Sequence, residues 1–182
     1  MGILQKKYSE EIAPKLKSEL SVANTMAVPR MEKIVLNMGM AGAMKDEKIL
    51  DEAIAQLTLI AGQKPVVTKA KRAIAGFKLR QGDKIGAMVT LRGGRMYDFF
   101  ERLIHVVLPR VRDFGGVSRD SFDGNGNYSM GFREISIFPE IEGAAAGKSI
   151  GMEMTIKTSA RNDDHARALL TALGMPFKKV QS

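Results

Sequence analysis

The sequence predicts an α+β fold: a mostly antiparallel sheet with helices packed on one face, the other face open for binding, and a protruding basic loop. Three observations predict it. Apolar residues recur with helical spacing in some segments and with period two in others. The segments follow one another as α-β-α-β-β-α-β-β-α. No internal repeat or long linker divides them, so residues 1–182 read as a single domain.

The first element is helical, because Leu4, Tyr8, Ile12, Leu16 and Leu20 recur every four residues from Ile3 to Leu20. Pro14 either kinks this helix or begins a second helical piece. From Met31 to Met40 the period becomes two: Ile34, Leu36 and Met38 share one face of a strand, and Lys33, Val35 and Asn37 the other. Lys45 to Ala61 returns to helical spacing through Ile49, Ala53, Leu57 and Ile60, with Gly62 suited to a left-handed cap. A short β-prone piece follows Gln63. Ile85 to Arg92 then alternates, with Ile85, Ala87, Val89 and Leu91 on one face and Thr90 and Arg92 on the other. Gly93-Gly94 ends that strand, and Arg95 to Val107 forms a helix that Pro109 stops. Asp113 to Asn127 is a loop, and Tyr128 to Phe138 and Gly151 to Ser159 predict two more strands. Asn162 caps a last helix, Asp163 to Leu173, closed by Gly174 and Pro176.

Composition excludes several classes. An apolar fraction of 45% is too high for a disordered tail protein. No run approaches the roughly 18 apolar residues of a membrane span. The opening stretch carries acids where a signal peptide has an apolar core. The lack of cysteine excludes disulfides, thiolate metal sites and cysteine nucleophiles, and suits a reducing cytosol. Net charge is +8, and its placement is informative. Between Lys64 and Arg119 there are 13 Lys/Arg against 4 Asp/Glu, so the basic excess sits in the middle third. A segment of this kind faces a polyanion, since each base that neutralises a phosphate also releases counterions. An anionic membrane fits less well, because the segment is rich in β-branched residues and glycine and has no long amphipathic helix.

Motifs for catalysis are poor. Gly143-Ala144-Ala145-Ala146-Gly147-Lys148-Ser149 resembles a phosphate-binding loop, but three residues separate its glycines where four are needed. A strand-like segment follows it where a helix N-terminus should stand. Asp123, Asn125 and Asn127 imitate half of a calcium loop, but Tyr128 occupies the position that needs glycine, which favours an ordinary turn built by Asp, Asn and Gly chemistry. His105 lies among Leu103, Ile104, Val106 and Val107, which predicts a satisfied or half-buried histidine. No nucleophile elbow or metal-ligand spacing occurs. The chain therefore reads as a non-enzyme with no cofactor and no metal.

The segment from Gln63 to Gly82 points instead to nucleic acid. Lys64, Lys69, Lys71, Arg72, Lys78 and Arg80 recur at short intervals, Gln63 and Thr68 can bond ribose or base edges, and Phe77 can stack. Gly76 and Gly82 let the backbone approach RNA closely. The runs Val28-Pro29-Arg30-Met31-Glu32-Lys33-Ile34, Leu36-Asn37-Met38-Gly39, Gly62-Gln63-Lys64-Pro65 and Ala75-Gly76-Phe77-Lys78 precede Val89-Thr90-Leu91-Arg92-Gly93 and Phe99-Phe100-Glu101-Arg102-Leu103. Pro109-Arg110-Val111-Arg112-Asp113-Phe114, Ser121-Phe122-Asp123-Gly124 and Phe138-Pro139-Glu140-Ile141 complete the series. In this order, over about Tyr8 to Phe177, the chain resembles the bacterial ribosomal protein five family of the large subunit. It departs from that pattern at Pro14 and in the alanine-rich Gly143 to Gly147.

The resemblance implies a cytoplasmic, structural constituent of the large ribosomal subunit that attaches 5S rRNA to the central protuberance. Its implied 5S rRNA face is Asn37, Met38, Gly39, Gln63, Lys64, Thr68, Lys69, Thr90 and Arg92. The loop from Lys71 to Gly82, through Lys71, Arg72, Gly76, Phe77, Lys78 and Arg80, would reach P-site tRNA. Arg110, Arg112, Asp113, Phe114, Glu140 and Glu142 would meet a small-subunit head protein in an intersubunit bridge. Large-subunit rRNA and neighbouring large-subunit proteins are the remaining implied partners, with no membrane.

Overall fold

A computed structural model of the protein describes residues 2–40, 47–141 and 151–178. Five strands, β1 (Met31–Gly39), β2 (Val66–Lys69), β3 (Lys84–Leu91), β4 (Tyr128–Phe132) and β5 (Met152–Thr158), form one sheet in the order β2-β3-β1-β5-β4. The β2–β3 ladder is antiparallel, pairing Val66 with Met88, Val67 with Ala87 and Thr68 with Gly86, and it shifts register between Thr68 and Lys69. Met40 N–H donates to the Ile85 carbonyl at 2.9 Å, and Ser159 N–H donates to Arg30 O at 2.9 Å. The hydroxyls of Ser129 and Thr155 meet at 3.0 Å. Each contact matches an antiparallel neighbour, and with the helices it gives the α+β class expected. The chain divides into two compact units, one of Met1–Ile34, Leu91–Met130 and Thr155–Ser182 and one of Val35–Thr90 and Gly131–Met154.

In the first unit the N-terminal stretch runs as α1 (Ile3–Lys7), a π turn (Tyr8–Ile12) and α2 (Ala13–Glu19). Pro14 lies in the first turn of α2, directly after the π turn, on backbone that keeps right-handed helical angles at Lys7, Tyr8, Ile12 and Ala13. Leu4, Ile12 and Leu16 are buried. The Tyr8 hydroxyl donates to Pro29 O at 2.7 Å, and its ring lies 6.2 Å from that of Tyr97. Tyr97 belongs to α4 (Gly93–Arg102), which continues through a π turn (Leu103–Val107) into a 3-10 turn (Leu108–Arg110). The π turn rotates less per residue than an α turn. Leu103 and Val107 stay buried, whereas His105 is exposed, so the half-buried alternative expected for it is not found. The final helix, α5 (Asp163–Ala172), is capped as expected, with Asn162 Oδ1 accepting from His165 N–H at 2.9 Å.

In the second unit α3 (Glu47–Ala61) buries Leu50, Ala53, Leu57 and Ile60, and Gly62 follows it at φ 62°. Leu36 and Met38 of β1, Ala87 and Val89 of β3, and Met152 and Met154 of β5 are also buried, with the alternation of strands open on one face. One expectation fails here: the strand predicted to reach Phe138 ends at Phe132. Ile135, Phe138 and Ile141, spaced by three, are buried at 2%, 0% and 0%. That spacing matches 3-10 geometry, and two such turns, Ile135–Ile137 and Pro139–Ile141, replace the strand. Pro139 could not have donated to a ladder in any case.

Candidate nucleic-acid interface

Alternation in the second unit turns Val35, Asn37 and Gly39 of β1 away from the core, and with them Met88 and Thr90 of β3. The β2–β3 register puts Val66 and Thr68 on the same face as Met88. Asn37, Thr68 and Thr90 are half-buried and polar, and Gln63 stands beside them with its Nε2 donating to Thr90 O at 3.5 Å. Gly86, opposite Thr68, has no room for a side chain: a Cβ there would sit 2.5 Å from Met38 O. Strand backbones and the Thr68 side chain are therefore closely packed at this point of the face. Cations stand at its rim, where Lys64 and Lys69 are exposed. Such a face suits ribose and base edges at the centre and phosphates at the margin.

Of the nine residues expected on this face, Asn37, Gly39, Gln63, Lys64, Thr68, Lys69 and Thr90 gather in the second unit. Met38 does not join them. Its side chain is 0% exposed because the alternation that turns Asn37 out turns Met38 in. Arg92 is exposed on extended backbone just before α4 and belongs to the first unit. Val35, Val66 and Met88 escape sequence reasoning, because apolar residues in a strand carry no binding signal. Val66 is 66% exposed, and only the pairing with Met88 discloses its face.

The basic loop joins β2 to β3. Its neck is closed by Ala70 N–H donating to Asp83 O at 2.8 Å and Gly82 N–H donating to Ala70 O at 2.9 Å. Within it, Ile74 and Leu79 form an isolated antiparallel bridge around a 3-10 turn (Ala75–Phe77), and Lys78 takes φ 53°. Lys71, Arg72, Gly76, Lys78 and Arg80 are all exposed, and Phe77 is 70% exposed. A large aromatic held out among cations is the arrangement that stacks on nucleic acid.

The residues expected at a bridge fall in different places. Arg110 and Arg112 are exposed, Asp113 is exposed at φ 52°, and Phe114 is half-buried, all in the first unit. Glu140 is half-buried in the 3-10 turn of the second unit, and Glu142 lies outside the described residues, as does Gly143 to Ser149. The calcium-like loop is an Asx turn. Asp123 accepts from Asn125 N–H, Asn127 N–H and Asn127 Nδ2 at 2.9, 3.0 and 2.7 Å. Those bonds, the Asn127 side chain first, hold its carboxyl below the usual range. Asp163 accepts from Gly124 and Gly126 N–H. Among the described residues no group of three or more His, Asp or Glu could hold a metal, and no helix is long and apolar enough to cross a membrane.

Comparison with known proteins finds matches along most of the chain. Residues 24–80 match the family model of ribosomal protein L5, and residues 84–177 match the separate model of that ribosomal family's C-terminus. The large ribosomal subunit protein uL5 of Anaeromyxobacter sp. (strain Fw109-5) is 57% identical over 176 residues, spanning 97% of this chain and 98% of the relative. That of Desulfatibacillum aliphaticivorans is 55% identical over 179 residues, spanning 98% and 100%.

Proposed function

The chain belongs to the ribosomal protein L5 family, and on that premise we propose that it attaches 5S rRNA to the large subunit through the open sheet face of its second unit. As a member it is a structural protein of the large ribosomal subunit, not an enzyme. The observation that carries the finer reading is the polar patch of Asn37, Thr68 and Thr90, with Gln63 beside it and lysines at its rim. Lys64 and Lys69 supply phosphate affinity, while the amides and hydroxyls at the centre set register. Met38 contributes by packing beneath the patch.

The basic loop is the part we assign to P-site tRNA, since Phe77 and the cations around it are exposed. Arg110, Arg112, Asp113 and Phe114 in one unit and Glu140 in the other are the candidates for a small-subunit head protein, together with Glu142. Their mixture of charges suits a polar contact that forms and breaks. Sedimentation tests the whole reading. The tagged protein should travel with large subunits and bring 5S rRNA with it. Large subunits that keep all their 5S rRNA when the protein is depleted would refute the attachment role.

A further inference from the structure

The chain has one Asn-Gly pair, Asn125-Gly126, and it follows directly on an Asp-Gly pair, Asp123-Gly124. Both are chemically weak points of a polypeptide. A glycine with no side chain lets its backbone nitrogen close on the side-chain carbonyl carbon of the residue before it. Gly126 N would bond to Asn125 Cγ, and Nδ2 would leave as ammonia, taking the Gly126 amide proton with it. Water then opens the cyclic imide at either carbonyl, which leaves aspartate or isoaspartate at position 125.

Both attacking nitrogens are held by one side chain. Asp163 Oδ1 accepts from Gly126 N–H at 2.9 Å, and its Oδ2 accepts from Gly124 N–H at 3.1 Å. To attack, either nitrogen must give up its proton, and the carboxylate beside it opposes the negative charge that results. Gly126 is also locked in place. It is buried at φ 77°, its carbonyl accepts from the Thr158 hydroxyl at 2.6 Å, and a Cβ on it would lie 2.9 Å from Ala160 O. The two pairs differ at the carbon attacked. The Asp123 carboxyl accepts from the Asn127 side chain, Asn127 N–H and Asn125 N–H, and those bonds favour its ionised form, which has no good leaving group. Asn125 is exposed and neutral, and its carboxamide makes a long contact of 3.5 Å to Asp123 O. Asn125 is therefore the vulnerable carbon.

We propose that Asn125 is a latent deamidation site, and that Asp163 guards it by holding the Gly126 amide against the start of α5. Deamidation then proceeds through the moments when residues 123–127 lift off α5, since local opening gates chemistry on a held amide. The product keeps the loop open. A new carboxylate at 125 joins Asp123 and Asp163, and isoaspartate lengthens the backbone inside the turn. Modified Asn125 thus records how long a chain has spent with this loop released.

The test holds the folded protein at mildly alkaline pH and follows deamidation at Asn125 by peptide mapping and mass spectrometry. A synthetic peptide of residues 121–129 gives the unguarded rate. The wild-type protein should react at least about tenfold more slowly than the peptide. Asp163→Ala should speed the protein's reaction by about tenfold, the scale of a lost hydrogen bond to a charged group. Asp163→Asn keeps the shape and one acceptor, should also react faster than wild type, and serves should the alanine variant not fold. Asp164→Ala removes the neighbouring acid of the same first turn, which pairs with Arg167, and should leave the rate at its wild-type value. A wild-type rate equal to that of the peptide would overturn the proposal. So would Asp163 variants that react no faster than wild type, which would make the carboxylate a bystander or a base. Equal acceleration by Asp164→Ala would also overturn it, by showing a general loosening of α5 in place of a guard.

Discussion

Thr68 stands directly opposite Gly86 in the β2–β3 ladder, so close that a Cβ on Gly86 would lie 2.9 Å from the Thr68 hydroxyl. The same Cβ would meet Met38 O at 2.5 Å, and backbone cannot step aside as a side chain can. Gly86→Ala should therefore cost about 1–3 kcal/mol of stability, read as a lower denaturant midpoint at unchanged slope. Adding Thr68→Ala should recover only part of the loss, because the Met38 carbonyl remains.

Asn37 and Gln63 are the polar groups on which register is argued to depend. Either one changed to alanine should weaken 5S rRNA binding by about 1–3 kcal/mol, the usual scale of a lost buried hydrogen bond. Gel shifts on folded variants measure this. Unchanged binding would remove the residue from the site.

Deleting Ala73 to Arg80 should leave 5S rRNA binding within about twofold and weaken tRNA retention on assembled ribosomes. The neck bonds between Ala70, Gly82 and Asp83 lie outside the deleted stretch, so the sheet can close without the loop. A collapse of 5S rRNA binding would show that loop and sheet face are one site.

The Tyr8 phenol is pushed up to about 12, first by burial and then by Tyr97, with Arg30 opposing. The folded chain thus holds this proton more tightly than the unfolded one. The stability that follows is complete below pH ~10 and is lost as pH rises towards 12. Tyr8→Phe should flatten the alkaline fall in melting temperature, and phenolate absorbance of the native protein should rise only well above pH 10.

Much of the fold is legible in the sequence because both strands of the open face alternate cleanly. Ile34, Leu36 and Met38 announce one side of β1, and Ala87, Val89 and Leu91 one side of β3. The capping role of Asn162 and the turn at Gly62 follow from local chemistry alone. The failures have separate causes, and only the lost strand comes from 3-10 spacing, which matches neither the α-helical period nor that of a strand. His105 points out because it stands two residues from the buried Leu103 and Val107, on the opposite side of the helical turn, and Ile135, Phe138 and Ile141 follow a period of three where a strand is expected. At the site, polar and basic residues are visible from their type. Met38 is the misplaced one, although its own alternation pattern puts it in the core, and Val35, Val66 and Met88 need the strand register to be seen.

The central claim is that the sheet face of the second unit recognises 5S rRNA and does not merely attract phosphate. Affinity for 5S rRNA and for an unrelated structured RNA of equal length, each titrated with salt, tests it most directly. Recognition predicts parallel salt slopes with 5S rRNA bound at least tenfold more tightly at every salt concentration, a gap of about 1.4 kcal/mol. Equal affinities across the titration would contradict it.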